Sequence, residues 1–584
     1  MEIIKVTIDG KEVETVKGAT ILAAAKTIGI KIPTLCHFEI AEFGMKNDCA
    51  SCRICVVEVE GRANLAPACA TPVTDGMKIV TNSAKVMQKR RMVLELLLSD
   101  HPKDCLVCSK NGDCELQTLA SEFGIRDIRF EGKRSTYKKE VSPSIIRDID
   151  KCIMCKRCST MCNEVQTCGV LSTIDRGFGA VVSTAYQQNL ETTPCTYCGQ
   201  CVAVCPVGAL SEKDNTWDLV EAIANPKKKV IVQVAPAVRV ALGEEFGLPA
   251  GTDVTGKMVA ALRVLGFDEV FDTNWAADLT IMEEGSEFID RLTKHLAGDK
   301  TVKLPLLTSC CPAWVNFFEY NFPDMLDVPS TAKSPQQMFG AVAKNIWAKE
   351  EGIDRNDLVV VSVMPCLAKK YEAARPEFSK DGNPDVDFSI STRELAHLLK
   401  QANINLLNME EENFDNPLGF STGAADIFGR TGGVIEAAVR TIYEVVTKKE
   451  LENVDFVQLR GMEAVRAAEV DVDGIKVRIG IAHGLGAARA LLEKVRSGEE
   501  KFHAIEIMAC KGGCVGGGGQ PFHHGNIEII KARTAGIQAI DSGKELRKSH
   551  KNQYVMSIYE KHLGAPLSHK AHDLLHTHYF SKKK

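Results

Sequence analysis

Hydrophobic and polar positions change period along this chain, and the changes divide it. Residues 3–16 alternate as strand, turn and strand, with Asp9-Gly10 at the centre as a hairpin signal. A helix-like stretch follows near Thr20–Ile28, and residues from about 82 to 135 are predicted to be helical. Between about 140 and 215 two short cysteine-rich segments repeat one another. From about 228 the texture changes again. Apolar runs such as Lys229–Val234, Val359–Val363 and Ala504–Met508 alternate with amphipathic helix patterns, which predicts an α/β domain with a largely parallel sheet. Runs of this length cannot span a bilayer. The opening residues form no basic-then-apolar leader, and a Lys-rich tail occupies 582–584.

The chain has 584 residues, enough for roughly three to five domains. Its net charge of −5, from 71 basic and 76 acidic side chains, gives no reason to propose a nucleic-acid or anionic-membrane partner. A cytoplasmic setting is expected, where a partner subunit could still bring the chain to a membrane. What changes the picture is the count of 22 cysteines. In a large chain without a leader, clustered cysteines point to metal ligation rather than disulfides.

The first cluster is Cys36, Cys52, Cys55 and Cys69, with Cys49 as a spare that makes an overlapping Cys-x2-Cys pair. Soft thiolates suit iron–sulfur clusters, and zinc is the alternative. The second is His101-x3-Cys105-x2-Cys108-x5-Cys114, a set that fits either a 4Fe–4S cluster or a Cys3His zinc site. The third is the most specific. Cys152, Cys155, Cys158 and Cys162 recur as Cys195, Cys198, Cys201 and Cys205, the last followed by Pro206. This is the two-cluster bacterial ferredoxin spacing, in which the fourth cysteine of each run serves the other cluster. It assigns Cys152, Cys155, Cys158 and Cys205 to one 4Fe–4S cluster and Cys195, Cys198, Cys201 and Cys162 to the other. Asn163 stands where the motif often has proline, and Cys168 is expected to be a buried thiol outside the pattern.

The hairpin-then-helix order of the N-terminus resembles the β-grasp fold of plant-type ferredoxins. The stretch Cys52-Arg-Ile-Cys55-Val-Val-Glu-Val-Glu resembles the 2Fe–2S domain of hydrogenases and respiratory NADH dehydrogenases, and the His101 group resembles their His-ligated cluster. Five further cysteines lie in Thr-Ser-Cys-Cys-Pro-Ala-Trp (308–314), Met-Pro-Cys-Leu-Ala-Lys-Lys (364–370) and Met-Ala-Cys-Lys-Gly-Gly-Cys (508–514), each after an apolar run. Ligands at the carboxyl ends of parallel strands would meet in a crevice. These segments resemble the three signatures of iron-iron hydrogenases, and the resemblance covers nearly the whole chain. It implies an H-cluster, a 4Fe–4S cubane joined to a diiron subcluster with CO, cyanide and a dithiolate amine, besides three more 4Fe–4S clusters and one 2Fe–2S cluster. Carried over, Cys311, Cys366, Cys510 and Cys514 ligate the cubane, Cys514 bridges to the diiron unit, and Cys310 passes protons. The implied proton path continues through Glu284, Glu287, Arg291 and Ser330. Glu284, Glu287 and Arg291 share one helix face, which could equally be an exposed salt-bridged face. Lys369 would sit near a cyanide. Met364, Met508, Gln336, Ala235 and Pro236 would line the pocket, although methionines are often core filler.

Two departures stand out. Ala313 occupies a position where the first signature usually has glycine, and Ala237 one where many members have serine. The glycine run 516–519 lacks a P-loop ending and is expected to let backbone pass close to a cluster. Gly484-Leu-Gly486-Ala-Ala-Arg489 nearly fits a dinucleotide fingerprint, but Arg489 spoils its last position. The expected architecture is multidomain, α+β and α/β: a β-grasp 2Fe–2S domain (1–80), a small helical His/Cys3 domain (81–138), a two-cluster ferredoxin domain (139–215) and a two-lobed α/β H-cluster domain ending in a small-subunit-like helical segment (216–584). The resemblance implies reversible H2 oxidation and proton reduction. It makes ferredoxin a plausible electron carrier, with NADH-dehydrogenase-like flavin subunits and NAD(P) as partners in electron bifurcation. The rivals are an electron-transfer subunit, which leaves the C-terminal signatures unexplained, and a hydrogenase-like sensor or cluster-assembly protein.

Overall fold

The computed structural model describes residues 2–47, 50–132, 137–472 and 474–583, so Cys49 and Lys584 lie outside the described residues. It forms two compact units: Met1–Glu164, Gly169–Thr193 and Val204–Ser211 make one, and Val165–Cys168, Pro194–Ala203 and Glu212–Lys584 the other. The ferredoxin-like segment is therefore divided, with its second cysteine repeat largely in the second unit.

In the first unit Ile3–Ile8 pairs antiparallel with Lys11–Val16 and parallel with Lys78–Val80. Val56–Val59 then joins antiparallel to Lys78–Val80. Asp9 and Gly10 both take left-handed backbone, at φ 49° and 81°, which is the geometry of a tight two-residue hairpin. The inward face of Ile4, Val6, Ile8 and Val13 is covered by the helix Ile21–Thr27 through Ile21, Ala24 and Ala25. Thr20 caps that helix by accepting from Ala23 N at 3.2 Å. Downstream, the helix Ala84–Asp100 stops at His101, where Pro102 follows, and Glu115–Glu122 starts at Cys114. Helix ends thus hold two of the four ligands expected in the second group.

The internal repeat is visible in the backbone. Met154 and Lys156 have φ of 53° and 65°, and Tyr197 and Gly199, at the matching places after Cys195, have 55° and 74°. Alternating left-handed residues turn successive N–H groups inward, the concave shape that receives anionic clusters.

The second unit contains two four-stranded sheets rather than one. Glu269–Asp272, Lys229–Val234, Leu358–Met364 and Phe388–Ser391 are all parallel. Leu358–Met364 is buried at every position, as expected of a strand covered on both faces. In the other sheet Leu306–Leu307, Ala504–Met508 and Ile475–His483 run parallel, and Val465–Val472 pairs antiparallel at the edge. Among the described residues no helix is long and apolar enough to cross a membrane.

The 24-residue helix Thr273–Leu296 lies deep in this unit, buried from Thr273 through Gly285. It holds the C-terminal segment through Glu283, which accepts from Tyr559 Oη at 2.5 Å and Leu567 N at 2.9 Å, with His576 Nε2 at 3.0 Å. Replacing Glu283 by Ala leaves these buried groups without their partner, at a cost of about 3 kcal/mol. We expect a lower unfolding midpoint for Glu283→Ala and earlier proteolytic release of residues beyond 552. An unchanged midpoint would show that the C-terminal segment is held by apolar packing alone.

Candidate metal centre

In the first unit Cys36, Cys52, Cys55 and Cys69 are all buried. Cys36 lies within hydrogen-bonding reach of Cys52 and Cys69, and Cys55 of Cys69. The Asn47 side chain donates to Cys36 O at 2.5 Å and to Cys155 O at 2.9 Å, tying two cysteine loops together. Sequence reasoning missed this residue, because no motif surrounds it. In the second group the Cys105, Cys108 and Cys114 thiols lie close enough to interact electrostatically. Gly208 packs against this group so tightly that a Cβ there would stand 2.5 Å from Cys108 Sγ. Glu115 N, next to Cys114, donates to Pro206 O at 3.0 Å. Cys152, Cys155, Cys158 and Cys205 line one small cavity, of about 20 Å³, which is the crossed set that the ferredoxin spacing assigns.

Cys162 belongs to the first unit, and Cys195, Cys198 and Cys201 to the second. Cys168 is half-buried rather than buried, with Sγ 3.6 Å from Gln166 O and 3.7 Å from Thr196 Oγ1. Both of these contacts are polar, from a backbone carbonyl and a hydroxyl.

The C-terminal cysteines converge from both sheets of the second unit. Cys366 follows Leu358–Met364 in one sheet. Cys310 and Cys311 follow Leu306–Leu307, and Cys510 and Cys514 follow Ala504–Met508, in the other. Ala509 N points at Cys311 Sγ at 3.5 Å. Burial raises all four of Cys311, Cys366, Cys510 and Cys514, Cys514 to about 12, and their mutual repulsion adds to it at Cys366 and Cys510. Four thiols that resist ionisation together, Cys366 and Cys510 buried and Cys311 and Cys514 half-buried, are the donor set that a soft cationic cluster stabilises. No three or more His, Cys, Asp or Glu side chains among the described residues are set to hold a single metal ion, so the fit rests on this donor set and on space.

Glycine makes the space. A Cβ on Gly517 would meet Pro365 O at 2.1 Å, and one on Gly519 would meet Cys366 N at 3.2 Å. Gly518 lies equally close to Gly199, in the loop of Cys198 and Cys201. The run 516–519 thus brings backbone against two cysteine loops. Gly486 packs on Val165 O, 2.6 Å from where its Cβ would be, and leaves no room for a dinucleotide phosphate.

The polar residues around this cradle form one network. Lys369 Nζ donates to Cys310 O at 3.2 Å and to Glu372 at 2.8 Å. Burial works against its charge, but Glu372 keeps its pKa raised. Gln336 and Ser334 donate to the same Glu372 carboxylate, each at 2.9 Å. Glu372, i+3 from Lys369, is the hub that sequence reasoning missed. Met364 and Met508 are buried at strand ends, Ala235 is buried and Pro236 half-buried. Ala313 is buried in the helix Pro312–Asn321, and Ala237 O accepts from Gln520 Nε2 at 2.8 Å.

Glu284 and Glu287 are not on an exposed face; they are 4% and 8% accessible. Ser309 N donates to Glu284 at 3.3 Å, and Ser330 Oγ donates to Glu287 at 2.7 Å. Arg291 donates to Glu287 at 2.5 Å and to Val328 O at 2.9 Å. Burial, then the Glu287 charge, push Glu284 up to about 8, so it holds a proton at neutral pH. Burial, then Glu284 and the Cys311 thiol, hold Cys310 well above its usual value.

The family described as "Iron only hydrogenase large subunit, C-terminal domain" matches residues 228–518, and "Iron hydrogenase small subunit" matches 527–582. Upstream, a 2Fe-2S iron-sulfur cluster binding domain matches 2–84. The NADH-ubiquinone oxidoreductase-G iron-sulfur binding region matches 90–129, and the ferredoxin-like domain of NADH-quinone oxidoreductase subunit 3 matches 142–211. The chain is 65% identical to NADP-reducing hydrogenase subunit HndD of Solidesulfovibrio fructosivorans, over 100% of both chains. It is 38% identical to iron hydrogenase 1 of Clostridium pasteurianum, over 98% of this chain and 99% of that one. Among solved structures, a variant of [FeFe]-hydrogenase HydA1 from Chlamydomonas reinhardtii is 41% identical, with a TM-score of 0.57. It covers 64% of this chain and 100% of that one.

The raised Glu284 has a stability consequence. The folded protein keeps this proton where the unfolded chain, with an ordinary value near 4.5, releases it, so folded-state stability falls as pH rises from about 4.5 to about 8. Glu284→Gln should flatten that decline, measured as unfolding midpoint against pH. An unchanged slope would show that Glu284 titrates normally.

Proposed function

The chain belongs to the iron-only hydrogenase family, and from that premise we propose how its own residues divide the work of oxidising H2 and reducing protons. The observation that carries the reading is the meeting of Cys311, Cys366, Cys510 and Cys514 from two sheets, with Cys310 beside a buried acid. The four cysteines would hold the cubane, and Cys514 would also bridge to the diiron unit. When bound, that group supplies the electrons and the place where the H–H bond is made or broken.

Cys310 has another task. Its thiol stays protonated because burial and Glu284 disfavour the thiolate, so it can offer a proton and take it back. Glu284, also protonated at neutral pH, replenishes it. Ser330 and Glu287 continue the line toward the surface. Arg291, whose guanidinium does not release a proton, orients Glu287 and the chain at Val328. Lys369, fixed by Glu372, places a cation for an anionic ligand. Gln336, Met364, Met508, Ala235 and Pro236 would line the pocket and exclude water.

On the electron side, Cys36, Cys52, Cys55 and Cys69 would hold a 2Fe–2S cluster. His101 with Cys105, Cys108 and Cys114, and Cys152, Cys155 and Cys158 with Cys205, would each hold a 4Fe–4S cluster. Cys195, Cys198 and Cys201 would serve a further one. Cys198 is close enough to Cys510 to affect its ionisation, which supports electron passage by that route within the second unit. The full-length likeness to a subunit of an NADP-reducing hydrogenase, together with the NADH-dehydrogenase-type regions, supports a multisubunit complex. We place flavin subunits, NAD(P) and ferredoxin in it, with electron bifurcation as its mode. Stable assembly with candidate flavoprotein subunits would bear this out. Full activity alone, with no complex formed, would not.

Anaerobic H2 evolution from reduced viologen, by protein matured to full iron content, tests the central reading. Cys310→Ser should keep its iron and its cluster spectra but lose activity by about 10²-fold or more, the scale of a lost proton-transfer group. Near-normal activity would remove Cys310 from the path.

A further inference from the structure

The catalytic unit contains a narrow apolar crevice that none of the chemistry above uses. One wall is a single stripe of the helix Thr273–Leu296: Glu284, Gly285, Phe288, Ile289, Leu292 and Leu296 recur at three- and four-residue spacing along it. The facing wall is a similar stripe of the helix Gly433–Thr447, through Val434, Ala438, Ile442 and Val446. Sheet residues including Val470, Val477 and Ile479 make the floor. The thirteen residues from Glu284 to Leu296, twelve helical steps, make the crevice about 18 Å long.

Its two ends differ. At the outer end Leu296, Val446 and Ile475 are 59%, 42% and 39% exposed, forming an apolar mouth. At the inner end stands Glu284, the only charged residue of the lining among the described residues. Gly285 keeps that end open. A Cβ there would find its nearest neighbour, Ile442 Cγ1, at 3.6 Å, so no side chain fills the place beside the acid. The space amounts to about 90 Å³.

We propose that this crevice binds small apolar molecules, of the size of a noble-gas atom or a short hydrocarbon, and that a guest in it keeps water from Glu284. The lining argues for this class of ligand. Water needs two to four polar partners, and apolar walls offer none along most of the length, whereas dry apolar cavities of similar size take up xenon and hydrocarbons. The size argues against a macromolecule, since the space amounts to only about 90 Å³. The crevice ends on the carboxyl and not on the cysteine cradle, so the guest acts on the acid. Only the inner end, with the Glu284 carboxyl and Thr308, offers water polar partners, and water held there solvates the ionised carboxyl after a proton has passed on. An apolar guest removes that solvation and slows transfer through this residue. The slowing rests on the proposed role of Glu284 as a proton carrier; the binding does not.

Xenon under pressure, applied to the matured enzyme, is the probe. Xenon NMR reports occupancy, the infrared carbonyl band that disappears in Glu284→Gln reports the acid, and H2 evolution reports turnover. We expect one saturable xenon site, a shift of the Glu284 band and a loss of turnover that saturates with occupancy. Val446→Trp, which closes the mouth, should remove all three xenon effects, and Ala438→Leu, which fills the interior as the guest does, should remove xenon binding and hold turnover near its xenon-saturated level. If Ala438→Leu fails to fold, the surface variant Val446→Trp decides alone. Absence of bound xenon, bound xenon without a shift of the band, or effects that persist in Val446→Trp would each overturn the site. Should Glu284→Gln retain full turnover while xenon still shifts the wild-type band, the binding site stands and the proton role of Glu284 falls.

Discussion

Burying charge without water is the constraint on which the catalytic unit depends. A buried ion without a partner is unstable by several kcal/mol, and many of those here have partners that also fix their position. Lys369 and Glu372 hold each other at 2.8 Å, and the same carboxylate fixes Gln336 and Ser334. Arg239 and Asp272 pair at 2.7 Å at the end of the first sheet. Glu506, inside the strand that leads to Cys510, accepts from Gly432 N at 2.5 Å and Ile435 N at 3.0 Å. It therefore pins the start of the helix Gly433–Thr447 to that strand, where the positive end of the helix favours a carboxylate. Glu284 meets the constraint differently: among the described residues no cation pairs with it, and it keeps its proton.

That state is what the proposed proton path draws on. A neutral carboxyl can donate and accept in turn. Glu287, one turn further along the helix, is held by Arg291 at 2.5 Å and by Ser330 Oγ at 2.7 Å. Two acids on one helix face thus do different work because their surroundings differ. The mutual repulsion of the pair raises the inner acid, so the outer ion pair and the inner proton store are coupled.

Close backbone approach is the second requirement. The glycines at 517–519 bring one loop against those of Cys366 and Cys198, with distances that no Cβ would permit. Gln200 Nε2 donates to Gly516 O at 3.0 Å, and Asn316 Nδ2 to Cys195 O at 2.9 Å. The second ferredoxin-like repeat is in this way built into the catalytic unit, although in sequence it belongs with the first repeat. Short contacts between the loops of Cys198 and Cys366 suit electron passage, which weakens steeply with distance.

Much of this protein was readable without coordinates, because cysteine spacing is set by local chain geometry. A Cys-x2-Cys-x2-Cys run folds around its cluster with alternating left-handed residues, so the repeat in sequence reappears as the repeat at Met154, Lys156, Tyr197 and Gly199. The Asp9-Gly10 hairpin and the helix capped by Thr20 are equally local. The same holds for the identity of the three C-terminal signatures, which lie in contiguous stretches. Tertiary structure alone decided that the cradle draws on two sheets, since hydrophobic runs do not reveal which strands pair. It alone decided that Glu284 and Glu287 are buried, because a helix face of charges reads the same in water or under another helix. Partners such as Glu372, Asn47 and Glu283 became visible only when distant segments met. Their contribution depends on burial, which is a property of the whole fold and not of any stretch of residues.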